Sequence, residues 1–445
     1  MGIMTFLLGI GIWALSASSL ATGLTCQTAQ NFQAIRDHGV AAANTRPESI
    51  GFIDSTTIPI RVHYQEGVEL SYVEEMRAAA EASWQVLFEE IGFPPPHPDG
   101  ELGGNDRFDF YVVTDLMEGV GGYTGFSGYY EESDRIDAFG YIVLAHNVDS
   151  RLRRGVVAHE LSHASQIAQD FWEHLSFMEG TAVWVTNRVF PDENMAWRYF
   201  TFFQDEPYTA LNYTSITAPF QYGTGMWVTY LEEKFGDGTG TFLQQVWNDL
   251  SQNEYNNEPD YLDSISSQLQ HRGIDFASSF REFGAWRTFV GSRDDGEHFR
   301  NSHLWTGWRK SVEPYFVVEA SQSTSYTEGA SLNGLQQLSH GLISLKRPGL
   351  TAETVSLAIQ FAELGYYHLD VYAREGQGPW QKLSEQHLSP ADEAQFQLVF
   401  DTSAETTELV GVVTAFGAEP FDPDTVTWKN HDFSYQVRMQ PQPSQ

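Results

Sequence analysis

Apolar and polar residues alternate in two different ways along this chain, and the change falls near Pro314. Before it, short alternating segments are mixed with longer stretches in which apolar residues recur at helical spacing. After it, short alternating segments follow one another at intervals of roughly ten residues, separated by turn residues. The pattern predicts an α+β domain over residues 22–313, a mixed sheet plus helices. It predicts an antiparallel β-sandwich domain over residues 314–445.

The order of elements in the first domain is strand, helix, three further strands and then a helix. We expect the first helix to be capped by Ser71 and to end at Gly92-Phe93-Pro94. The last helix carries an apolar stripe with a polar face opposite. The predicted strands are Ile58–Tyr64, Phe108–Val113, Gly121–Phe126 and Tyr141–Ala145. Further helices are predicted from Phe220 onward, over Phe242–Leu250 and over Phe276–Thr288.

Six strands are predicted in the second domain, each a short run of alternating apolar residues. No concentrated chemistry falls in them, so we expect an accessory module. The strands are Gly341–Leu345, Val355–Phe361, Tyr366–Ala373, Gln395–Phe400, Leu409–Ala415 and Phe433–Met439.

The polar face of the helix near residue 160 carries His159, Glu160 and His163, in the pattern His-Glu-x-x-His. Residues four apart on a helix are separated by about 40° around its axis, so both imidazoles point the same way. Two neutral imidazoles at this spacing can bind one Zn²⁺, and the glutamate between them can reach a water on the metal. The alternative is that the histidines make only local hydrogen bonds.

A zinc site with two histidines needs a third protein ligand, and residues 172–184 supply Glu179 beside the small residues Gly180 and Ala182. Glu173 and His174 compete with it on the same segment. Together the two motifs resemble the gluzincin metallopeptidases, most of all bacterial secreted members with Glu-Gly-x-Ala in the second helix. The resemblance covers roughly residues 50 to 240.

The resemblance implies a zincin-like fold in which Zn²⁺ is held by His159, His163 and Glu179. It makes Glu160 the general base in the hydrolysis of a peptide or protein substrate. In one respect the chain departs from the family, which often places another acid after the third ligand. Here those positions hold Val183, Thr186 and Asn187.

Two further features of the family have counterparts in this chain. The resemblance makes Gly121–Phe126 the sheet edge to which an extended peptide pairs, although a plain glycine loop is an equal alternative. It makes Tyr222 the hydroxyl that hydrogen-bonds the oxyanion, with His174 as a rival and a core tyrosine as the alternative.

Charge and composition limit the partners and the compartment. The chain has 59 acidic and 25 basic residues among 445, a formal charge of −34, which disfavours nucleic acid and anionic membranes. Residues 1–21 indicate a secretory signal peptide cleaved after Ala21, atypical in that its n-region has no Lys or Arg, with an uncleaved anchor as the alternative. We therefore expect a secreted or extracytoplasmic protein without stable membrane insertion after cleavage.

The single cysteine, Cys26, excludes an internal disulfide, and its lipidation is left open. The favoured function is a secreted zinc metalloendopeptidase. The alternatives are a metal-binding, adhesin-like surface protein without turnover and a metal-free structural protein. The sequence gives no basis for the oligomeric state or the bond preference.

Overall fold

The structure is a computed structural model. It describes residues 25–215, 219–251, 258–300, 302–305, 312–316, 318–321, 326–330, 334–346, 353–361, 364–390, 392, 395–403, 405–417 and 433–441. The expected signal peptide, residues 1–21, lies outside the described residues.

The first part of the chain forms a six-stranded mixed sheet. Its strands are β1 (Thr25–Cys26), β2 (Gly51–Asp54), β3 (Ile60–Tyr64), β4 (Phe108–Val113), β5 (Val120–Tyr129) and β6 (Ala138–Ala145). They lie in the order β1-β5-β6-β4-β3-β2. The pairs β1–β5, β6–β4 and β4–β3 are parallel, and the other two are antiparallel. The segment Gly121–Phe126 therefore lies in a strand, and β1 pairs with the outer side of that strand opposite Val120 and Gly122. Its role as the edge to which a peptide pairs stays a prediction.

Helices cover the sheet and continue beyond it. They are α1 (Thr28–His38), α2 (Leu70–Trp84), α3 (Arg153–Ile167), α4 (Leu175–Val189), α5 (Met195–Asp205), α6 (Phe220–Gly223), α7 (Gly225–Phe235), α8 (Thr241–Leu250), α9 (Tyr261–Gln270) and α10 (Phe276–Thr288). Helix α2 begins at Leu70, so Ser71 lies inside the first turn and does not cap it. Among the described helices, none combines the length and apolar character needed to cross a bilayer.

The polar face of helix α3 lies in the interior of the protein. Every residue from Gly155 to Ile167 is buried. The helix packs against α2 and α4 and against strands β5 and β6. Its polar side chains are therefore shielded from water and must be satisfied by partners within the protein.

Nine described strands follow in the last part of the chain. They are β7 (Val318–Ser321), β8 (Tyr326–Ala330), β9 (Ser339–Lys346), β10 (Glu353–Phe361), β11 (Tyr366–Glu375), β12 (Trp380–Leu388), β13 (Gln395–Thr402), β14 (Thr406–Gly417) and β15 (Phe433–Pro441). They form a four-stranded sheet, β13-β10-β15-β8, and a five-stranded sheet, β12-β11-β14-β9-β7. All pairs are antiparallel except β7–β9, which is parallel. The α+β class with a separate, mainly antiparallel sheet region is confirmed.

Strand β14 has buried apolar side chains on both faces. Leu409, Val413 and Ala415 belong to the core that the two sheets share. Val410 and Val412 point the other way and pack in a cluster with Phe289, at the end of α10. The Phe289 ring stacks on Trp380, with centroids 4.5 Å apart. The division between residues 313 and 314 stays a prediction, since this cluster contains residues from both sides of it.

We expect Phe289→Ala to destabilise the helical part and the sheet region together. Removal of this buried ring leaves a cavity, which costs about 3–5 kcal/mol in comparable cores. Chemical denaturation, followed by fluorescence and by circular dichroism, measures the loss. The control is Val399→Ala, because Val399 is 71% exposed on β13. A Phe289 variant as stable as this control would contradict a shared core.

Candidate metal centre

Three side chains from α3 and α4 meet at one buried point. His159 Nε2 lies 3.1 Å from Glu179 Oε2 and 3.1 Å from His163 Nε2, and His163 Nε2 lies 3.4 Å from Glu179 Oε2. All three residues are at most 3% exposed. Their spacing on α3 turns both imidazoles toward α4, and the turn between the helices brings Glu179 back to them.

These distances fit one tetrahedral cation. Ligands at about 2.0–2.1 Å from a zinc ion are about 3.3–3.4 Å from each other in tetrahedral geometry. Two imidazole nitrogens and a carboxylate oxygen are also a donor set that zinc accepts. His159 Nδ1 and Glu179 Oε1 are buried, and among the described residues no hydrogen-bond partner reaches either atom. The residues present therefore fit a zinc ion at this point.

The electrostatics of the three groups reflect their close contact. Burial raises the pKa of Glu179, but His163 and His159 outweigh it and lower that pKa to about 2. Burial lowers the pKa of His163, but Glu179 outweighs it and the net direction is upward. Without a cation the pair therefore favours an ionised carboxylate beside a protonated imidazole. A metal ion can take over the role of that proton.

Gln166 orients His163, and sequence reasoning did not assign it this role. Its amide nitrogen donates to the main-chain oxygen of Met178 at 3.0 Å, which leaves Oε1 facing His163 Nδ1 at 2.7 Å. Nδ1 of the neutral imidazole therefore carries the hydrogen, and the Nε2 lone pair points into the cluster. This is the support that ligating histidines usually receive from a neighbour. The position of Gln166, three residues after His163 on the same helix, was the feature of the sequence from which this role could have been predicted.

Glu160 lies beside the cluster and is held by hydroxyl groups. Its Oε2 accepts a hydrogen bond from Thr28 Oγ1 at 2.8 Å, and Thr124 Oγ1 lies 3.2 Å away. Strand β5 approaches closely here because residue 122 is glycine. A Cβ at Gly122 would lie 2.7 Å from the main-chain oxygen of Val143 and 3.3 Å from Glu160 Cγ.

Tyr222 is also placed at the cluster. Its ring centroid is 6.0 Å from that of His159, and it lines a small cavity together with Cys26, Gly122 and Tyr199. Burial raises the pKa of Tyr222 well above its usual range, so the hydroxyl keeps its proton and can donate. Tyr199, which the sequence did not single out, packs beside it at 5.1 Å between centroids.

The two competing residues are not brought into the cluster. His174 caps α4, where its Nδ1 lies 2.9 Å from Ser176 Oγ, and burial, with Arg36 nearby, lowers its pKa to about 4. Glu173 is buried next to Asp170, and burial raises its pKa well above the usual range. Gly180 serves a different contact, since a Cβ there would lie 2.5 Å from Thr224 Oγ1, between α6 and α7.

A fourth candidate ligand, Cys26, comes from far along the chain. The sulfur of Cys26 and the donor atoms of the three clustered residues all lie within 4.8 Å of one another. Cys26 Sγ is also 3.4 Å from Glu160 Oε2. Burial, with Glu160 and Glu179 nearby, raises the pKa of the thiol, which favours the protonated form as donor to Glu160. The sequence carried no local signal for this contact, because Cys26 and Glu160 are 134 residues apart.

Comparisons with known proteins leave the chain without an assigned family. No family model matches the chain, and no curated protein sequence matches it. Several solved structures match parts of it. A mitogen derived from Yersinia pseudotuberculosis is 10% identical, covering 27% of this chain and 87% of that one, with a TM-score of 0.19.

The pre-peptidase C-terminal domain of a Bacillus anthracis collagenase is 8% identical, covering 28% of this chain and 99% of that one, with a TM-score of 0.19. The CBM22-1 xylan-binding domain of Paenibacillus barcinonensis Xyn10C is 13% identical, covering 22% and 65%, with a TM-score of 0.15. Likenesses at these TM-scores carry no argument about fold or function.

We expect Gln166→Leu to weaken zinc binding by about 10–100-fold, the usual effect of removing a residue that orients a ligating histidine. The leucine fills similar space but leaves His163 Nδ1 without an acceptor. Competition with a chromogenic chelator measures the affinity. The matched control is Gln169→Leu, a buried glutamine whose amide donates to the main-chain oxygen of Ser165. Equal affinities in the two variants would show that Gln166 does not orient a ligand.

Proposed function

We propose that the protein is a secreted, zinc-dependent endopeptidase of the gluzincin type. The observation that carries the proposal is the buried triangle of His159 Nε2, His163 Nε2 and Glu179 Oε2 with the Glu160 carboxylate beside it. Zinc held by these three residues would polarise a scissile carbonyl and make a water acidic enough to attack at neutral pH. Secretion rests on residues 1–21 of the sequence.

Glu160 is the residue that would move the proton. A carboxylate can take a proton from the attacking water and return it to the nitrogen of the leaving amine. In the described fold the Thr28 hydroxyl donates to one carboxylate oxygen of Glu160 at 2.8 Å. Thr124 Oγ1 donates to the main-chain oxygen of Glu160 at 2.8 Å and lies 3.2 Å from the same carboxylate oxygen, so the rotation of the side chain is limited.

Tyr222 would bind the carbonyl oxygen of the substrate. Its hydroxyl already donates to a main-chain carbonyl oxygen next to the cluster, that of Cys26, at 3.0 Å. A hydrogen bond of this kind strengthens as negative charge develops on the oxygen, which stabilises the transition state more than the substrate.

Strand β5 would align the substrate chain. Its outer side accepts a strand in this structure, with Thr25 N donating to Gly119 O at 2.9 Å and Gln27 N donating to Gly122 O at 3.1 Å. An extended peptide can use the same main-chain groups by strand addition. Main-chain hydrogen bonds hardly distinguish one peptide sequence from another. Specificity for particular substrate residues must therefore come from pockets that bind their side chains.

A metal-binding protein without turnover is the second candidate. The position of Cys26 favours it, because two histidines, a glutamate and a cysteine would form a closed set of four protein ligands. Closed sets are typical of structural zinc, whereas catalytic zinc keeps one position open. Stoichiometric zinc without hydrolysis of any peptide mixture, in the unchanged protein and in Cys26→Ala, would select this candidate.

Glu160→Gln should reduce hydrolysis at least about a hundredfold while the zinc content stays at one equivalent. The amide has the size of the carboxylate but cannot accept the proton. Cleavage of an unfolded protein is measured in the unchanged protein and in the background of Cys26→Ala, since Cys26 lies at the fourth position. Hydrolysis near the starting rate would mean that Glu160 is not the base.

Glu179→Ala should weaken zinc binding by at least about a thousandfold, more than the 10–100-fold of an outer residue, because a charged ligand is lost. The control is Glu173→Gln, which has the same size, retains an oxygen that can accept from His174 N and should leave zinc bound. Chelator competition measures both. If the control lost the metal and Glu179→Ala retained it, the ligand assignment would be wrong.

A further inference from the structure

We infer that residues Thr25–Thr28 form an internal inhibitory segment in which Cys26 is the fourth ligand of the metal centre. The inference rests on the proposed zinc peptidase function and adds its regulation. In this reading the fold described above is the latent form of the enzyme. The segment occupies both the open metal position and the strand-binding site.

The sulfur is close both to the metal cluster and to the base. Cys26 Sγ is within 4.8 Å of a donor atom of each of the three clustered residues and 3.4 Å from Glu160 Oε2. In a tetrahedral site a zinc-bound sulfur is about 3.6 Å from a nitrogen ligand, given a zinc–sulfur bond of about 2.3 Å. Coordination would therefore shorten any distance between the sulfur and a ligand nitrogen that exceeds this value. On binding, the thiol proton is released to the buffer and the thiolate coordinates the ion.

The rest of the segment uses the groups that a substrate would need. The Cys26 N–H donates to the Tyr222 hydroxyl at 3.1 Å, and that hydroxyl donates to Cys26 O at 3.0 Å. The Thr28 hydroxyl donates to Glu160 at 2.8 Å and accepts from Thr124 N at 2.8 Å. Four consecutive residues therefore contact the proposed base Glu160, the proposed oxyanion residue Tyr222 and the strand β5 at the same time.

Independent evidence for a ligand at this point comes from Glu179. Its side chain is fully buried, and among the described residues Oε1 has no hydrogen-bond partner. The other oxygen, Oε2, faces the two histidines, so Oε1 is the buried lone-pair donor for which a ligand is missing, and leaving such an atom unpaired is costly. The sulfur of Cys26 therefore lies close to a cluster that has an unused donor atom.

The segment runs in the same direction as the strand that it covers, since β1 is parallel to β5. It contacts the Glu160 carboxylate through two side chains, the Cys26 sulfur and the Thr28 hydroxyl. The contact with the base is therefore made by groups that a metal-bound water cannot hydrolyse.

Helix α1 holds the segment in place. Its Arg36 donates to Glu173 O at 2.9 Å, in the turn between α3 and α4, and the Phe32 ring packs on Phe171 at 5.2 Å between centroids. The inhibitory residues are thus tethered to the element that carries the ligands. Such tethering gives a short segment an effective concentration on the order of millimolar.

Cobalt substitution tests the sulfur ligand directly. The unchanged protein loaded with Co²⁺ should show a thiolate-to-cobalt charge-transfer band in the near ultraviolet. Cys26→Ala should bind cobalt without that band, and the control Gln33→Ala, on the outer side of α1, should keep it.

Hydrolysis tests the inhibition. Cys26→Ala loaded with zinc should cleave an unfolded protein at least about tenfold faster than the unchanged protein, since a segment at millimolar effective concentration is disengaged. Cobalt that binds without a thiolate band, a lipid on Cys26 in the mass spectrum, or equal hydrolysis in the two proteins would overturn the inference and leave the zinc centre standing. If the unchanged protein bound no cobalt or zinc at all, the proposed function itself would fall.

Discussion

Three electron-rich atoms within 3.4 Å of one another in a buried position are the constraint on which the rest of this structure depends. Lone pairs at such short distances repel each other unless a proton or a cation lies between them. The protein nevertheless packs α3 on all sides and fixes one histidine through Gln166 and Met178. The charge at this point can be compensated by a proton on an imidazole or by the metal ion that we propose.

The sequence was sufficient to predict those features that depend on the spacing of residues near each other in the chain. His159 and His163 could be placed on one face of a helix because four residues make about one turn. The bounds of Phe108–Val113 and Phe276–Thr288 agree with β4 and α10 because each element coincides with an uninterrupted pattern. The meeting of Glu179 with the histidines was reached through a resemblance to a family, since fifteen residues of turn and helix lie between them and no periodicity spans that distance.

Contacts between distant parts of the chain were not predictable in this way. Nothing around Cys26 indicates that it reaches Glu160, and the pairing of β1 with β5 depends on how α1 packs on the α3–α4 turn. Strand β12 was missed because its residues are mostly polar on both faces, which an edge strand tolerates. The burial of the polar face of α3 was not predicted either, because it depends on packing against α2 and β5, which lie far from α3 in the sequence.

Strand β14 has a consequence for how this chain can vary. Its even-numbered valines, Val410 and Val412, face the helices, and its odd-numbered residues Leu409 and Val413 face the second sheet. Adding or deleting one residue within the strand would exchange the two sets and give each core side chains shaped for the other. Insertions and deletions in related chains should therefore be confined to the turns around β14. The strand itself tolerates substitution of its residues but not a change of register.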